Sequence, residues 1–177
     1  MTKINEMRAP TWAYLGLNSA DYDLADIKNQ PFYDKNVDKS QSEVKKAFEG
    51  ETYGLSKEIN KENEDFRNHF LSFDIDKDQE TEFINLELND ENNILVSNIE
   101  INARENTSSS FLVNFSDLAE DKIFINSQIL VNLKEDSKVK LVVVVDLKND
   151  STNLNSIATR LEDRAELDIS YIEIGAT

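Results

Sequence analysis

From Leu71 onward, apolar and polar residues alternate with a period of two. Phe73 and Ile75 begin the pattern, Phe83–Leu88 takes it up, and Ile94–Ile101 and Phe111–Phe115 continue it. Successive side chains of a strand point to opposite faces, so each stretch predicts a strand with one covered face. At the centre lies Lys140–Asp146, where Leu141, Val142, Val143, Val144 and Val145 run together. A β-branched run of this length between polar turns predicts a strand covered on both faces, with Leu141, Val143 and Val145 as packing or interface residues. Gln128–Leu133 and Leu167–Ile174 flank it, the latter with one face predicted buried and the other wet. The links between strands are rich in Asn, Asp, Ser and Glu. Ser116–Asp121 is expected to make a single helical turn.

Before Leu71 the period is helical or absent. Ser40-Gln41-Ser42-Glu43 fits a capping box, Val44, Ala47 and Phe48 follow at helical spacing, and Gly50 stands where a helix stops. A second helix is predicted from Ser56 to Phe70 on a sparse stripe of Ile59, Phe66 and Phe70. Residues 1–35 hold both prolines, Pro10 and Pro31, and an aromatic knot of Trp12, Tyr14, Leu15 and Leu17. They read as an arm that anchors Trp12 onto another surface. The division expected is therefore an arm and small helical domain over residues 1–70, then a β domain over residues 71–177. The Leu141–Val145 strand calls for an outer cover, either the arm and helices folding back or another subunit.

The β half repeats itself. Ile99, Glu105 and Phe111 align with Ile129, Glu135 and Leu141, and these with Ile157, Glu162 and Leu167. Each unit is a strand, a short acidic turn and a second strand. Units that cannot bury a face alone build solenoids, which makes a parallel β-helix one reading. An antiparallel β-sandwich with short hairpins is the other, and periodicity leaves both open.

Charge and composition narrow the chemistry. The 177 residues carry a formal charge of −16. Neither half offers a basic stripe, so nucleic acid and anionic membrane are excluded as expected partners. There is no cysteine, hence no thiolate nucleophile or disulfide. No apolar run reaches membrane-spanning length, and the first residues lack a signal-peptide core, so a cytoplasmic location is expected. His69, the single histidine, is expected at a helix end as a capping or surface residue. Asp74–Glu80 resembles the start of a calcium loop but lacks glycine at the sixth position and has Asn85 at the twelfth, so a polar turn is expected. The acidic pairs Glu135-Asp136 and Glu162-Asp163, with Glu105, are read as solvated turn residues. Their alternative is a stack of carboxylates serving a small carbohydrate-active β-helix enzyme. Gly54-Leu55-Ser56-Lys57 lacks the pattern of a phosphate loop.

The repeated strand–acidic turn–strand units, the closing Leu161-Glu162-Asp163-Arg164-Ala165-Glu166-Leu167-Asp168 and the segment Arg8-Ala9-Pro10-Thr11-Trp12 resemble the SufB/SufD family of iron–sulfur cluster assembly proteins, SufD more than SufB. That resemblance implies a right-handed parallel β-helix behind a small helical domain. It further implies a non-catalytic scaffold that assembles with a SufB-like subunit and a SufC-type ATPase. Cluster and ATP would then belong to partner subunits, with no cofactor in this chain. The likeness stops short of the family's C-terminal helical region and late β-helix positions, so no catalytic, cofactor-binding or metal residue is carried over. A homodimer through a self-associating solenoid end is the remaining expectation.

Overall fold

Strands that alternate at period two find their partners about thirty residues away, and this spacing builds the molecule. The computed structural model describes residues 2–4, 20–22, 32, 43–148 and 151–174. Trp12 and its aromatic neighbours, both prolines, Ser40–Ser42 of the expected capping box and Gly175 lie outside these residues. Eight strands form the body: β3 (His69–Ile75), β4 (Thr81–Leu88), β5 (Ile94–Ala103), β6 (Ser108–Asp117), β7 (Phe124–Leu133), β8 (Lys138–Asp146), β9 (Thr152–Leu161) and β10 (Glu166–Ile174). Before them come β1 (Thr2–Ile4) and β2 (Ala20–Tyr22), an antiparallel pair, and the helices α1 (Glu43–Ala47) and α2 (Lys57–Phe66).

Odd strands stack in the order β3-β5-β7-β9 and even strands in the order β4-β6-β8-β10, every pairing parallel. Each coil contributes one strand to each sheet, which is a parallel β-helix; the sandwich alternative falls because no pairing between these strands is antiparallel. Ile99, Ile129 and Ile157 share one column, as the repeat predicts. The turns stack one residue differently. Asn106, Asp136 and Arg164 all have positive φ, near 57°, and the backbone N–H groups of Asn106 and Asp136 bond to the carbonyls of Glu135 and Asp163 at 3.1 Å. Glu135 therefore stands below Asp163, not Glu162.

Odd-numbered residues of β5 to β8 point inward. Leu95, Ile99, Ile101, Phe111, Val113, Leu133, Leu141, Val143 and Val145 form one continuous apolar column that is almost wholly removed from water. Burial of this apolar area does most to hold the coils together. Outward ladders add polar links: Asn102 Nδ2 donates to Asp74 Oδ1 at 3.0 Å, and Asn132 Nδ2 to Asn102 Oδ1 at 2.8 Å.

The helices lie on the outer face of the β3-β5-β7-β9 sheet, with α1 and α2 both against β5 and β7. Ser56 caps α2, its Oγ accepting the N–H of Ile59 at 3.2 Å. Helix α2 docks chiefly by amide chemistry: Asn63 Nδ2 donates to the carbonyls of Ser97 and Asn126, both at 2.9 Å. The predicted second helix ends four residues early. Arg67 has already left the helical region, at φ −50° and ψ 122°, and Asn68 bonds with Val96 through both its backbone N–H and its side-chain oxygen, so Phe70 enters a strand. His69 thereby loses its expected surface place. It is buried and faces inward, its Nδ1 lies 2.8 Å from Ser97 Oγ, and Phe32 meets its ring edge-on at 5.9 Å. The helical turn expected over Ser116–Asp121 is not formed: Ser116 and Asp117 end β6, and a bend follows at Glu120 and Asp121.

Candidate functional site: the open end of the solenoid

Leu141, Val143 and Val145 are core residues, each at most 1 % exposed. Their role is packing. The residues of that strand which look outward are Val142 and Val144, both half-buried. Neither α1 nor α2 covers them, because both helices sit on the other sheet. Phe83 and Ile172 lie exposed on the same outer face.

The final coil differs from those beneath it. Leu167, Ile169 and Tyr171 of β10 occupy the columns of Val139, Leu141 and Val143. Ile157 and Leu161 of β9 continue Ile129 and Leu133. By pattern these are core positions, yet Leu161, Ile169 and Tyr171 are 44 %, 41 % and 43 % exposed. Among the described residues no strand pairs with the outer edges of β9 and β10. The expectation of one buried face along Leu167–Ile174 fails for that reason: the strand is there, and no layer among the described residues buries its inward side. An open edge above an apolar interior is a template for another strand layer.

Two polar side-chain contacts cross this end. Across the coil, Asn155 Nδ2 lies 3.3 Å from the Tyr171 hydroxyl and Asn153 Nδ2 lies 3.4 Å from Glu173 Oε1. The acidic turns are neutralised from the side. The Arg164 guanidinium binds Asp136 Oδ1 at 2.7 Å and also reaches Glu135, while Lys134 Nζ meets Glu162 Oε1 at 2.6 Å. The Arg164 hydrogen bonds hold Asp136 below the usual carboxylate range, and the Lys134 hydrogen bond does the same for Glu162. A glycosidase acid needs the opposite shift, upward, beside a second carboxylate across a groove. Asp74, expected in a polar turn but placed in β3, is likewise lowered by its hydrogen bond from Arg104, and Asp78 of the turn that follows accepts the N–H of Ser108 at 2.8 Å. Among the described residues, no three His, Asp or Glu side chains gather as a metal site.

A concavity adjoins β9 at the open end. The segment Phe48–Gly54, joining the two helices, projects beside β9 and leaves a cavity of about 450 Å³ lined by Phe48, Tyr53, Ala158, Thr159 and Arg160. Gly50 and Gly54 both take positive φ, and a Cβ on Gly54 would fall 2.3 Å from Asn60 Oδ1, so glycine is required there. Arg160 Nη1 donates to the Ala47 carbonyl at 2.6 Å and ties the edge strand to α1. Burial, with Glu64 and Glu100 nearby, raises the Tyr53 phenol above its ordinary value. Sequence reasoning finds the open end through its strand pattern but not this cavity, whose walls meet only through the fold.

No helix among the described residues is long and apolar enough to cross a membrane. Comparison with models of protein families, with curated proteins and with solved structures found no match.

Proposed function

We propose that the chain is an assembly subunit whose open end joins a second β-solenoid, in the scaffold role that its resemblance to the SufB/SufD group implies. The partner in that reading is a SufB-like subunit, working with a SufC-type ATPase to build iron–sulfur clusters, and the site of action is the cytoplasm. The observation that carries the reading is the half-exposed apolar group of Leu161, Ile169 and Tyr171 between two strand edges that no strand among the described residues pairs. Adding a layer there would bury these side chains and pair the free backbone groups in one step. Iron–sulfur clusters are held mainly by cysteine thiolates, and this chain has none. Its one histidine is buried against Ser97 and Phe32. The cluster is accordingly assigned to the partner as cargo, and ATP to the ATPase.

The second reading is a homodimer through the same end. It is favoured by the outward Arg160 on β9 and the outward Glu166 and Asp168 on β10, opposite charges that a turned-over copy could bring together. Light scattering on a sizing column separates the two. The scaffold reading expects a monomer alone and a defined complex with a SufB-like subunit, lost on Ile169→Asp. A chain that ignores SufB-like and SufC-like subunits would refute it, and a dimer sensitive to Ile169→Asp would establish the second reading.

A further inference from the structure

The cavity beside Ala158 says something about the strand that joins β9. On the outer face of this sheet one column runs Glu100, Leu130, Ala158. Leu130 is buried beneath Val44 and Phe48, with Ala47, Tyr53 and Ala158 packed around it. One rung further the side chain is only a methyl group, while the roof formed by Phe48 and Tyr53 continues. The space is large enough for a whole aliphatic or aromatic side chain, and it lies along β9, whose outer edge no described strand pairs.

Resting on the assembly reading above, we propose that this cavity is a socket for the incoming strand, and that the strand belongs to a different solenoid carrying a bulky apolar residue beside Ala158. Leu130 supplies the precedent, since it fills the equivalent place under the same roof. A copy of this chain does not supply such a residue. Turned over about an axis along the strands, a copy would lay its β10 beside β9 at unchanged height. The facing pairs Asn153–Glu173 and Asn155–Tyr171 advance on β9 as they retreat on β10, so Asp168 stands near the height of Ala158. That turn would bring a carboxylate to an aromatic-walled cavity that also holds Glu51 and Arg160, so it meets a counter-charge there but offers the walls of Phe48 and Tyr53 no apolar side chain. Turned about the other axis, a copy would offer the outward residues of its own β9. These are Ser156, Ala158 and Arg160, with Leu154 already buried against Ile59. Both turns leave the socket without an apolar occupant. The socket thus discriminates between partners by an apolar anchor in a preformed pocket, the usual form of an interface hot spot.

The test uses the whole chain as wild type, Ala158→Leu, Ala158→Trp and Ile169→Asp, with a purified SufB-like solenoid as the probe. Wild type is expected to form a complex that Ala158→Trp weakens at least tenfold by occupying the socket. Ala158→Leu alone should raise the melting temperature by about 2–4 °C, because it repeats the Leu130 rung. The socket is overturned, and the assembly reading kept, if Ala158→Trp binds like wild type while Ile169→Asp does not bind. It is also overturned if Ala158→Leu melts below wild type. Failure of wild type itself to bind rejects the assembly reading and the socket together.

Discussion

The two ends of the solenoid are made from the same kind of strand, and only one is closed. At the first coil, Ile75, Ile84, Leu86 and Leu88 are all at most 6 % exposed, and Phe32 lies buried in the same cluster against His69. At the last coil, the inward Leu161, Ile169 and Tyr171 are more than 40 % exposed, while Ile157 and Leu167 are partly buried. Hydrophobic pattern distinguishes these ends only in part, since Asn153, Thr159 and Glu173 stand in the columns of Ile125, Val131 and Val145. What also distinguishes them is whether something lies on top. A solenoid coil acquires its stability from its neighbours, so the end without one among the described residues leaves inward apolar side chains exposed, and the proposed assembly surface rests on that exposure.

The largest effects should come from the closed end and the middle. Leu88→Ala and Leu141→Ala are each expected to cost about 2–5 kcal/mol in urea unfolding, whereas Ile169→Ala should cost less than about 1 kcal/mol because its site is already wet. Equal losses at both ends would abolish the contrast. Phe32→Ala should come next, at about 3 kcal/mol, since it uncaps the first coil. A loss below about 0.5 kcal/mol would show that the closure does not depend on that ring.

Charge substitution sharpens the comparison in the opposite sense. Ile169→Asp should leave the melting temperature of the isolated chain within about 2 °C of wild type, while Leu141→Asp buries an unpaired carboxylate and should prevent folding. Circular dichroism on both proteins would decide it.

The smallest effect concerns acid. Asp74 is lowered by Arg104 near the closed end, and Asp136 and Glu162 are lowered by Arg164 and Lys134 near the open end. A depressed folded-state pKa adds stability that is present above the ordinary carboxylate value and is lost as pH falls through the folded value. These pairs are largely solvent-exposed, so the contribution is modest. Melting temperature should decline as pH drops below about 4, and Asp74→Asn should flatten part of that slope. An unchanged slope in the variant would show that Asp74 takes no part in it.

Much of this architecture was legible in the chain. The column of Ile99, Ile129 and Ile157 needed only the spacing of apolar residues, because parallel stacking preserves it coil after coil. The turn register was harder. Glu-Asp occurs at both 135–136 and 162–163, and aligning like with like misplaces the turn by one residue. Backbone geometry decides instead, with Asp136 and Arg164 sharing the positive-φ place. The end of α2 carried no glycine or proline to mark it. The chain leaves the helix because Asn68 finds partners on β5, a tertiary cause that no local pattern displays. The socket at Ala158 was beyond reach for the same reason, since Phe48 and Ala158 meet only after the coils have stacked.

Amide hydrogen exchange on β9 and β10 tests the central claim most directly. In the isolated chain these two strands should exchange far faster than β5 to β8, because their outer edges are unpaired and their inward side chains are wet. On adding a SufB-like solenoid, protection should rise in β9 and β10 and stay unchanged in β3 and β4. Protection that appears instead at β3 and β4, or over the outer face around Val142 and Val144, would place the assembly surface elsewhere and contradict the claim.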